Sequence, residues 1–288
     1  MPLDPQSEFE QARPALFSLA YRMLGTRADA EDIVQDAWLR WQSATREDIR
    51  MPKSFLMTVV ARLSLDALKS AQRKRETYVG PWLPEPLLQP SGTQHVEMAE
   101  TLSIAFLHLL ESLTPAERAA FLMREVFDAD YEEIAAALET TQANTRQLVA
   151  RAKKHIAERR PRFTVDREKQ RHMLSQFLNA CATGETAPIM ETLAEDAVLY
   201  TDGGGKVSAA INPIYTSGRI ARFMTGLQHK YNADPREYRI ELVEINGEPG
   251  AKLIEPAGTL TLITVELAAD GRIARLFFMR NPDKIAVN

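Results

Sequence analysis

Hydrophobic residues in the first half of the chain recur every three or four positions, the spacing that puts them on one face of an α-helix. Over residues 8–25 the stripe is Phe9, Ala12, Leu16, Leu19, Ala20 and Met23. A second helix opens with Asp29-Ala30-Glu31-Asp32, acidic residues that favour the positive end of the helix dipole. Its apolar stripe is Ile33, Val34, Ala37, Trp38 and Trp41. A polar loop over 45–53 leads to a third helical pattern over 55–71. Helical spacing resumes over about 97–155, where Thr114-Pro115-Ala116-Glu117 is a helix start with Thr as N-cap, Pro at the first position and Glu at the third. Beyond Pro161 one or two helices are predicted over 167–195. Strand-like runs then follow over 197–201, 207–216, 238–245, 251–256, 259–267 and 273–279, interrupted by a helix over 217–231. Asn246-Gly247 and Asp270-Gly271 mark turns between them. The C-terminal part is therefore expected to be an α+β domain behind helical ones.

Between the helical stretches the pattern breaks. Residues 80–90 hold four prolines in eleven positions, which excludes regular helix and predicts an extended, stiff connector. A plain spacer has little need of Trp82 and Leu83, so this linker is expected to pack on something. Composition adds bounds rather than identity. With 288 residues, 45% of them hydrophobic and 26% charged, the chain reads as a soluble globular protein of two or three small domains. No apolar run is long enough for a membrane span, and the opening residues carry no signal-peptide pattern, so a cytoplasmic protein with no membrane partner is expected. Cys181 is the single cysteine, in an apolar helical stretch. It excludes an intrachain disulfide and a cysteine zinc site, and reads as a buried structural thiol.

A net charge of −4 argues against a uniformly nucleic-acid-binding chain, but the charge is unevenly spread. Lys69, Arg73, Lys74 and Arg75 form one basic cluster. Arg146, Arg151, Lys153, Lys154, Arg159, Arg160 and Arg162 form another, with acidic segments at 29–36 and 128–133. Such patches suit a protein that touches DNA while docking on a basic protein partner.

The strongest motif lies over residues 130–155. Residues 131–138 form a short helix with Ile134 and Leu138 on one face, Glu139-Thr140-Thr141 a turn, and 142–155 a longer helix with Ala143, Leu148, Val149 and Ala152 apolar. Two helices joined in this way place the second across a DNA major groove. Its N-terminal half offers Gln142, Asn144, Arg146 and Gln147, side chains that read adenine and guanine edges. Its C-terminal end offers Arg151, Lys153 and Lys154 for phosphates. Glu139 stands where a turn glycine often sits, and an ordinary αα-hairpin with a charged solvent face is the competing reading.

The segment Asp29-Ala30-Glu31-Asp32-Ile33-Val34-Gln35-Asp36-Ala37-Trp38-Leu39-Arg40-Trp41 resembles the core-polymerase-binding helix of RNA polymerase sigma factors. The resemblance implies that Asp32, Gln35 and Asp36 dock on a basic coiled coil of core RNA polymerase. Residues 55–75 resemble the segment that melts the −10 promoter element, where flipped bases are caught beside a positive surface. Arg62, Lys69, Arg73, Lys74 and Arg75 are the candidates for backbone contact there, with the loop over 45–53 beside the base pocket. The helix-turn-helix would then read the −35 element. Three further motifs resemble one subgroup, the extracytoplasmic-function sigma factors with a fused SnoaL-like domain. They are Trp82-Leu83-Pro84-Glu85-Pro86-Leu87, Asp202-Gly203-Gly204-Gly205-Lys206 and Asn281-Pro282-Asp283-Lys284-Ile285, the last with Ile285 where Leu is expected. In that subgroup the extension is held to regulate polymerase and promoter binding in cis.

The Asp-Gly-Gly-Gly-Lys segment lacks the spacing, the following Ser/Thr and the helix of a phosphate loop. It reads as a docking loop for the linker or the sigma domains, against a plain turn or a small-ligand contact. His172 and His229 have no evident acidic partner, so no catalytic constellation is expected, and with it no cofactor and no metal. The expected architecture is multidomain: two all-α sigma domains, the second with the helix-turn-helix, followed by an α+β SnoaL-like cone-shaped domain. Residues 1–80 would bind core polymerase and the −10 element, 81–97 form the linker, 98–160 bind the −35 element, and 169–288 regulate, with a small ligand of the cone left open. The competing function is a stand-alone helix-turn-helix regulator with a ligand-sensing domain.

Overall fold

A computed structural model describes residues 4–44, 49, 51–75, 77–88, 102–159, 166–232, 238–256 and 258–285, without the side chains of 71–75, 158–159 and 231–232. The chain divides into two compact units, Met1–Thr77 with Leu109–Arg160, and Tyr78–His108 with Pro161–Asn288.

The helices of the first half are α1 (Pro5–Leu24), α2 (Arg27–Ser43), α3 (Pro52–Arg75), α4 (Ile104–Leu110), α5 (Pro115–Glu125), α6 (Tyr131–Ala137) and α7 (Gln142–Arg159). Helix α4 straddles the boundary between the units. Local chemistry sets the joints. Gly25 ends α1 at φ 77°, its N–H on the Tyr21 carbonyl. Thr26 at once caps α2, its side chain accepting from the Asp29 N–H. The first unit's core is built from Leu16, Leu19 and Met23 of α1, Ile33, Val34 and Trp41 of α2, and Leu56, Val60 and Leu68 of α3. Trp41 Nε1 donates to the Pro5 carbonyl at 2.9 Å. Helix α5 packs on α1 and α3, and α6 packs on α3. Arg118 of α5 is buried; its Nη1 donates to the Met23 carbonyl and pairs with Glu111, both at 2.7 Å. The helices expected to serve the −10 and −35 elements thus share one unit.

The second unit holds α8 (Arg167–Thr183), α9 (Thr186–Thr192), β1 (Leu193–Asp202), β2 (Ile214–Tyr215), α10 (Ser217–Asn232), β3 (Arg239–Ile245), β4 (Glu248–Ile254), β5 (Leu260–Leu267) and β6 (Ile273–Met279). The strands form one sheet in the order β2-β1-β6-β5-β4-β3. Among the described residues only β1 and β6 pair in parallel. Strand alternation splits the apolar residues between two faces. One face presents Leu199, Ile263, Val265, Leu276 and Phe278 to Leu174, Phe177, Ile189 and Ile220 of the helices. The other presents Leu262, Phe277 and Met279 to Leu83, Ile104 and Ile285. Burial on both sides explains why β6 reads as a nearly unbroken apolar run.

One difference from the sequence reading has a physical cause. The run over 207–216 is a strand only at Ile214–Tyr215. Side chains occupy its carbonyls instead: Thr201 Oγ1 donates to Ala210 at 3.0 Å, and Arg280 Nη1 to Ser208 at 3.0 Å. Among the described residues of the helical pattern over about 97–155 there are four helices, with breaks at the expected Thr114 start and at the expected helix-turn-helix turn. Within the stretch expected to form the second sigma module, Ile104 at the start of α4 joins the apolar cluster of the C-terminal sheet. Cys181 is buried, which pushes its thiol pKa up to about 12 and suits a structural role.

Candidate nucleic-acid interface and linker anchor

The helix-turn-helix is fixed by its own caps. Asp130 accepts the N–H groups of Glu132 and Glu133 at 2.8 Å each, and Glu133 returns the bond to the Asp130 N–H at 3.3 Å. Glu139 sits in the turn with φ 52°, the left-handed region where glycine is at ease and other residues are strained by about 1–2 kcal/mol. Thr141 Oγ1 accepts from the Asn144 N–H at 3.2 Å and starts α7. Thr145, Leu148, Val149 and Ala152 face inward, while Gln142, Asn144, Arg146 and Gln147 are exposed along the first turns. All four expected base readers are therefore open to solvent. Asn144 Nδ2 donates to Thr140 Oγ1 at 2.9 Å, and Arg146 Nη2 donates to Gln142 Oε1 at 3.3 Å.

The expected phosphate contacts are exposed but engaged. Arg151 Nε lies 3.0 Å from Glu117 Oε1, and Lys153 Nζ lies 2.8 Å from Glu125 Oε2. Lys154 is exposed. On α3, Lys69 is exposed and pairs with Asp66 at 3.1 Å. Arg62 is differently placed. It donates to the carbonyls of Ala136 at 2.5 Å and Ala137 at 3.3 Å, capping the negative end of α6. Ser54 of α3 donates to Glu133 of α6. Arg62 is thus tied to the helix-turn-helix while 43% of its side chain stays exposed. The side chains of Arg73, Lys74 and Arg75, most of the loop over 45–53, and Arg160 and Arg162 lie outside the described residues.

Asp32, Gln35 and Asp36 are exposed on α2. Gln35 borders an open groove lined by Phe9, Pro14, Phe17, Val34 and Trp38. Glu10, Arg13 and Glu31 also line this groove of the α1–α2 hairpin, and Asp32 and Asp36 lie outside its lining.

In the second unit the three C-terminal motifs converge on Asp202, whose carboxylate is 1% exposed. It accepts from Tyr78 Oη at 2.5 Å, the Leu83 N–H at 2.9 Å, the Gly204 N–H at 3.1 Å and Lys284 Nζ at 2.8 Å. Lys284 also donates to the Leu83 carbonyl at 2.6 Å and lies over the Trp82 and Tyr78 rings, at 4.1 and 4.9 Å from their centroids. Burial and the Asp202 carboxylate hold the Tyr78 hydroxyl pKa above its ordinary value. Asn281 Nδ2 donates to Tyr78 Oη at 2.8 Å. Gly204 has φ 60°, and a Cβ there would stand 2.4 Å from Asn281 Nδ2, so the close approach needs glycine. Gly203 is as constrained: a Cβ would meet the Val207 carbonyl at 2.5 Å. Gly205 also lies at positive φ. Lys206 pairs with Asp283 at the surface at 2.5 Å, Pro282 is exposed in the same turn, and Pro84 is buried beside Leu83.

Sequence reasoning passed over two residues of this anchor. Tyr78 precedes the proline-rich run and carries no motif. Asn246 was read only as a turn residue. Its Oδ1 accepts from the Leu87 N–H at 2.7 Å, its Nδ2 donates to the Leu102 carbonyl at 2.8 Å, and its own N–H donates to the Leu87 carbonyl at 2.9 Å. An Asn at a left-handed turn position was the available signal. Among the described residues no cluster of side chains could hold a metal, and no helix is long and apolar enough to cross a membrane.

The sigma-70 region 2 family model matches residues 9–74, and the sigma-70 region 4 model matches residues 103–156. The chain is 36% identical to the ECF RNA polymerase sigma factor SigJ of Mycobacterium tuberculosis, over 96% of this chain and 92% of that protein. It is 34% identical to the probable ECF sigma factor SigI of the same organism, over 66% of this chain and 67% of that one. The crystal structure of SigJ matches with a TM-score of 0.77 at 34% identity, over 96% of this chain and 97% of that one.

Proposed function

Because the chain belongs to the extracytoplasmic-function RNA polymerase sigma factors, in the subgroup with a fused C-terminal SnoaL-like domain, we propose that this initiation factor is regulated in cis through the anchoring of its own linker on the C-terminal sheet. The observation that carries the reading is the buried Asp202–Lys284 pair, which grips both the N–H and the carbonyl of Leu83. A linker held by its backbone is shortened as a connector between the polymerase-binding helices and the helix-turn-helix. The state of the anchor therefore sets how readily both promoter elements are engaged at once.

In this reading Asp32, Gln35 and Asp36 with the apolar groove beside them take core polymerase. Gln142, Asn144, Arg146 and Gln147 read the −35 element, Arg151 and Lys153 exchange carboxylates for phosphates, and Lys154 contacts phosphate beside them. Lys69 serves the −10 element, with Arg73, Lys74 and Arg75 beside it in sequence. Arg62 reaches DNA only once α3 and α6 part, because it otherwise caps α6. Domain bounds follow function: residues 1–80 and 98–160 for promoter and polymerase, 81–97 as the regulated linker, 169–288 as regulator. The regulator does no covalent chemistry of its own.

The test is transcription in vitro with core polymerase, comparing the full chain with a variant carrying Asp202→Asn and Lys284→Met. Promoter-specific transcripts from both that need core, in amounts that differ with the anchor, are the expected result. Equal output from a variant whose linker is released would make the anchor a purely structural joint.

A further inference from the structure

Tyr131 opens α6 and touches two arginines from the helices on either side of it. Arg124 Cζ of α5 lies 5.1 Å from its ring centroid, and Arg146 Cζ of α7 lies 5.0 Å from it. Arg124 is tied in place: Nη1 donates to the Ala129 carbonyl at 2.9 Å, and Asp128 is 3.7 Å away. Arg146 is exposed and leans on the ring, with Gln142 Oε1 accepting from its other side at 3.3 Å. The ring thus couples a fixed cation on one helix to a base-reading cation on another.

An unsupported surface arginine samples many rotamers and gives them up when it binds a base. Bidentate pairing with guanine O6 and N7 demands a set angle, whereas attraction to phosphate does not. A ring that holds the guanidinium before DNA arrives should therefore act on base choice more than on overall affinity. We propose that Tyr131 is a specificity-determining positioning residue for the −35 element, acting through Arg146. The inference rests on the assignment of α7 as the −35 reader. Its expected size is that of an exposed cation–π contact, about two- to fivefold in discrimination.

The experiment measures base preference across a −35 library with the full chain bound to core polymerase. Tyr131→Leu is expected to reduce preference about two- to fivefold at the position that Arg146→Ala relaxes, with other positions and the salt dependence unchanged. Tyr131→Phe and Tyr131→Trp keep a ring face and are expected to keep the preference, and thermal melting of each variant reports whether α6 still folds. A uniform loss at every position, or a loss in Tyr131→Phe that points to the hydroxyl, overturns the proposal. So does an unchanged profile for Tyr131→Leu where Arg146→Ala alters it. If Arg146→Ala itself leaves the profile unchanged, the −35 assignment falls and takes this inference with it.

Discussion

Arg151 and Lys153 on α7 hold their carboxylate partners with 56% and 53% of their own side chains exposed, whereas Lys284 holds Asp202 with only 9% exposed. The pairs are of similar length but differ in what they allow. A surface pair contributes about 0–1 kcal/mol and yields its partner to a competing anion at little cost. A buried pair cannot lose one member without stranding a charge out of water. Lys153 is therefore in a provisional contact, whereas Arg151 serves a Glu117 carboxylate that is only 6% exposed and also caps α5. The basic residue of the C-terminal tail is committed to the linker. Position along the chain and residue type do not separate the two uses; burial does.

The sharpest way to break this contrast is Lys284→Ala. It leaves the Asp202 carboxylate buried without its cation, and a loss of about 3–5 kcal/mol in the stability of the C-terminal unit is expected. Urea unfolding followed by the fluorescence of Trp82, whose ring lies 4.1 Å from Lys284 Nζ, would read it. The double change Asp202→Asn with Lys284→Met should cost less than either single change, since no charge is stranded. Next in size is Asn246→Ala, which removes a part-buried side-chain bond to Leu87 of the linker and a buried one to the Leu102 carbonyl, and places alanine at φ 53°. About 2–3 kcal/mol is expected. Asn246→Gly relieves the backbone but not the bonds, so amide exchange at Leu87 in the two variants apportions the effect.

Lys153→Ala belongs to the provisional class. Its stability change should stay within about 1 kcal/mol. Promoter affinity should fall alike on every −35 sequence, and the slope of log affinity against log salt should shrink by about 1. A separate, pH-dependent effect concerns Glu248. Burial raises its carboxyl pKa from 4.5 to about 7, assisted by the neighbouring Glu266 charge and opposed by the Gln170 hydrogen bond and Arg167. The folded state thus holds a proton that the unfolded state releases. The stability this contributes is present at acid pH and fades as pH rises through about 7. Glu248→Gln should flatten the melting temperature of the C-terminal unit between about pH 5 and 7; an unchanged slope would place the carboxyl in ordinary solvent.

Where a side chain acts within a few residues of its own position, sequence was enough to read it. The capping box of Thr114 and Glu117 stands as expected, and β6 occupies the expected span of 273–279. The strained turn position at Glu139 was visible as a missing glycine. What local pattern could not supply were partners far along the chain. Asn246 meets Leu87 across 159 positions, and Tyr78 meets Asp202 across 124. Arg62 has the composition of a phosphate contact, and only packing of α3 on α6 gives it helix carbonyls instead. The run over 207–216 has strand composition, yet Thr201 and Arg280 take the carbonyls that a ladder would need.

The sequence separation within the anchor also has a meaning in time. Leu83 leaves the ribosome 201 residues ahead of Lys284. At roughly 5–20 residues per second, that interval lasts about 10–40 s. Throughout it the helix-turn-helix emerges and folds while the linker has no sheet to bind. Each newly made molecule therefore passes through an unanchored youth before the tail closes on the linker, and how long that lasts depends on the pace of translation.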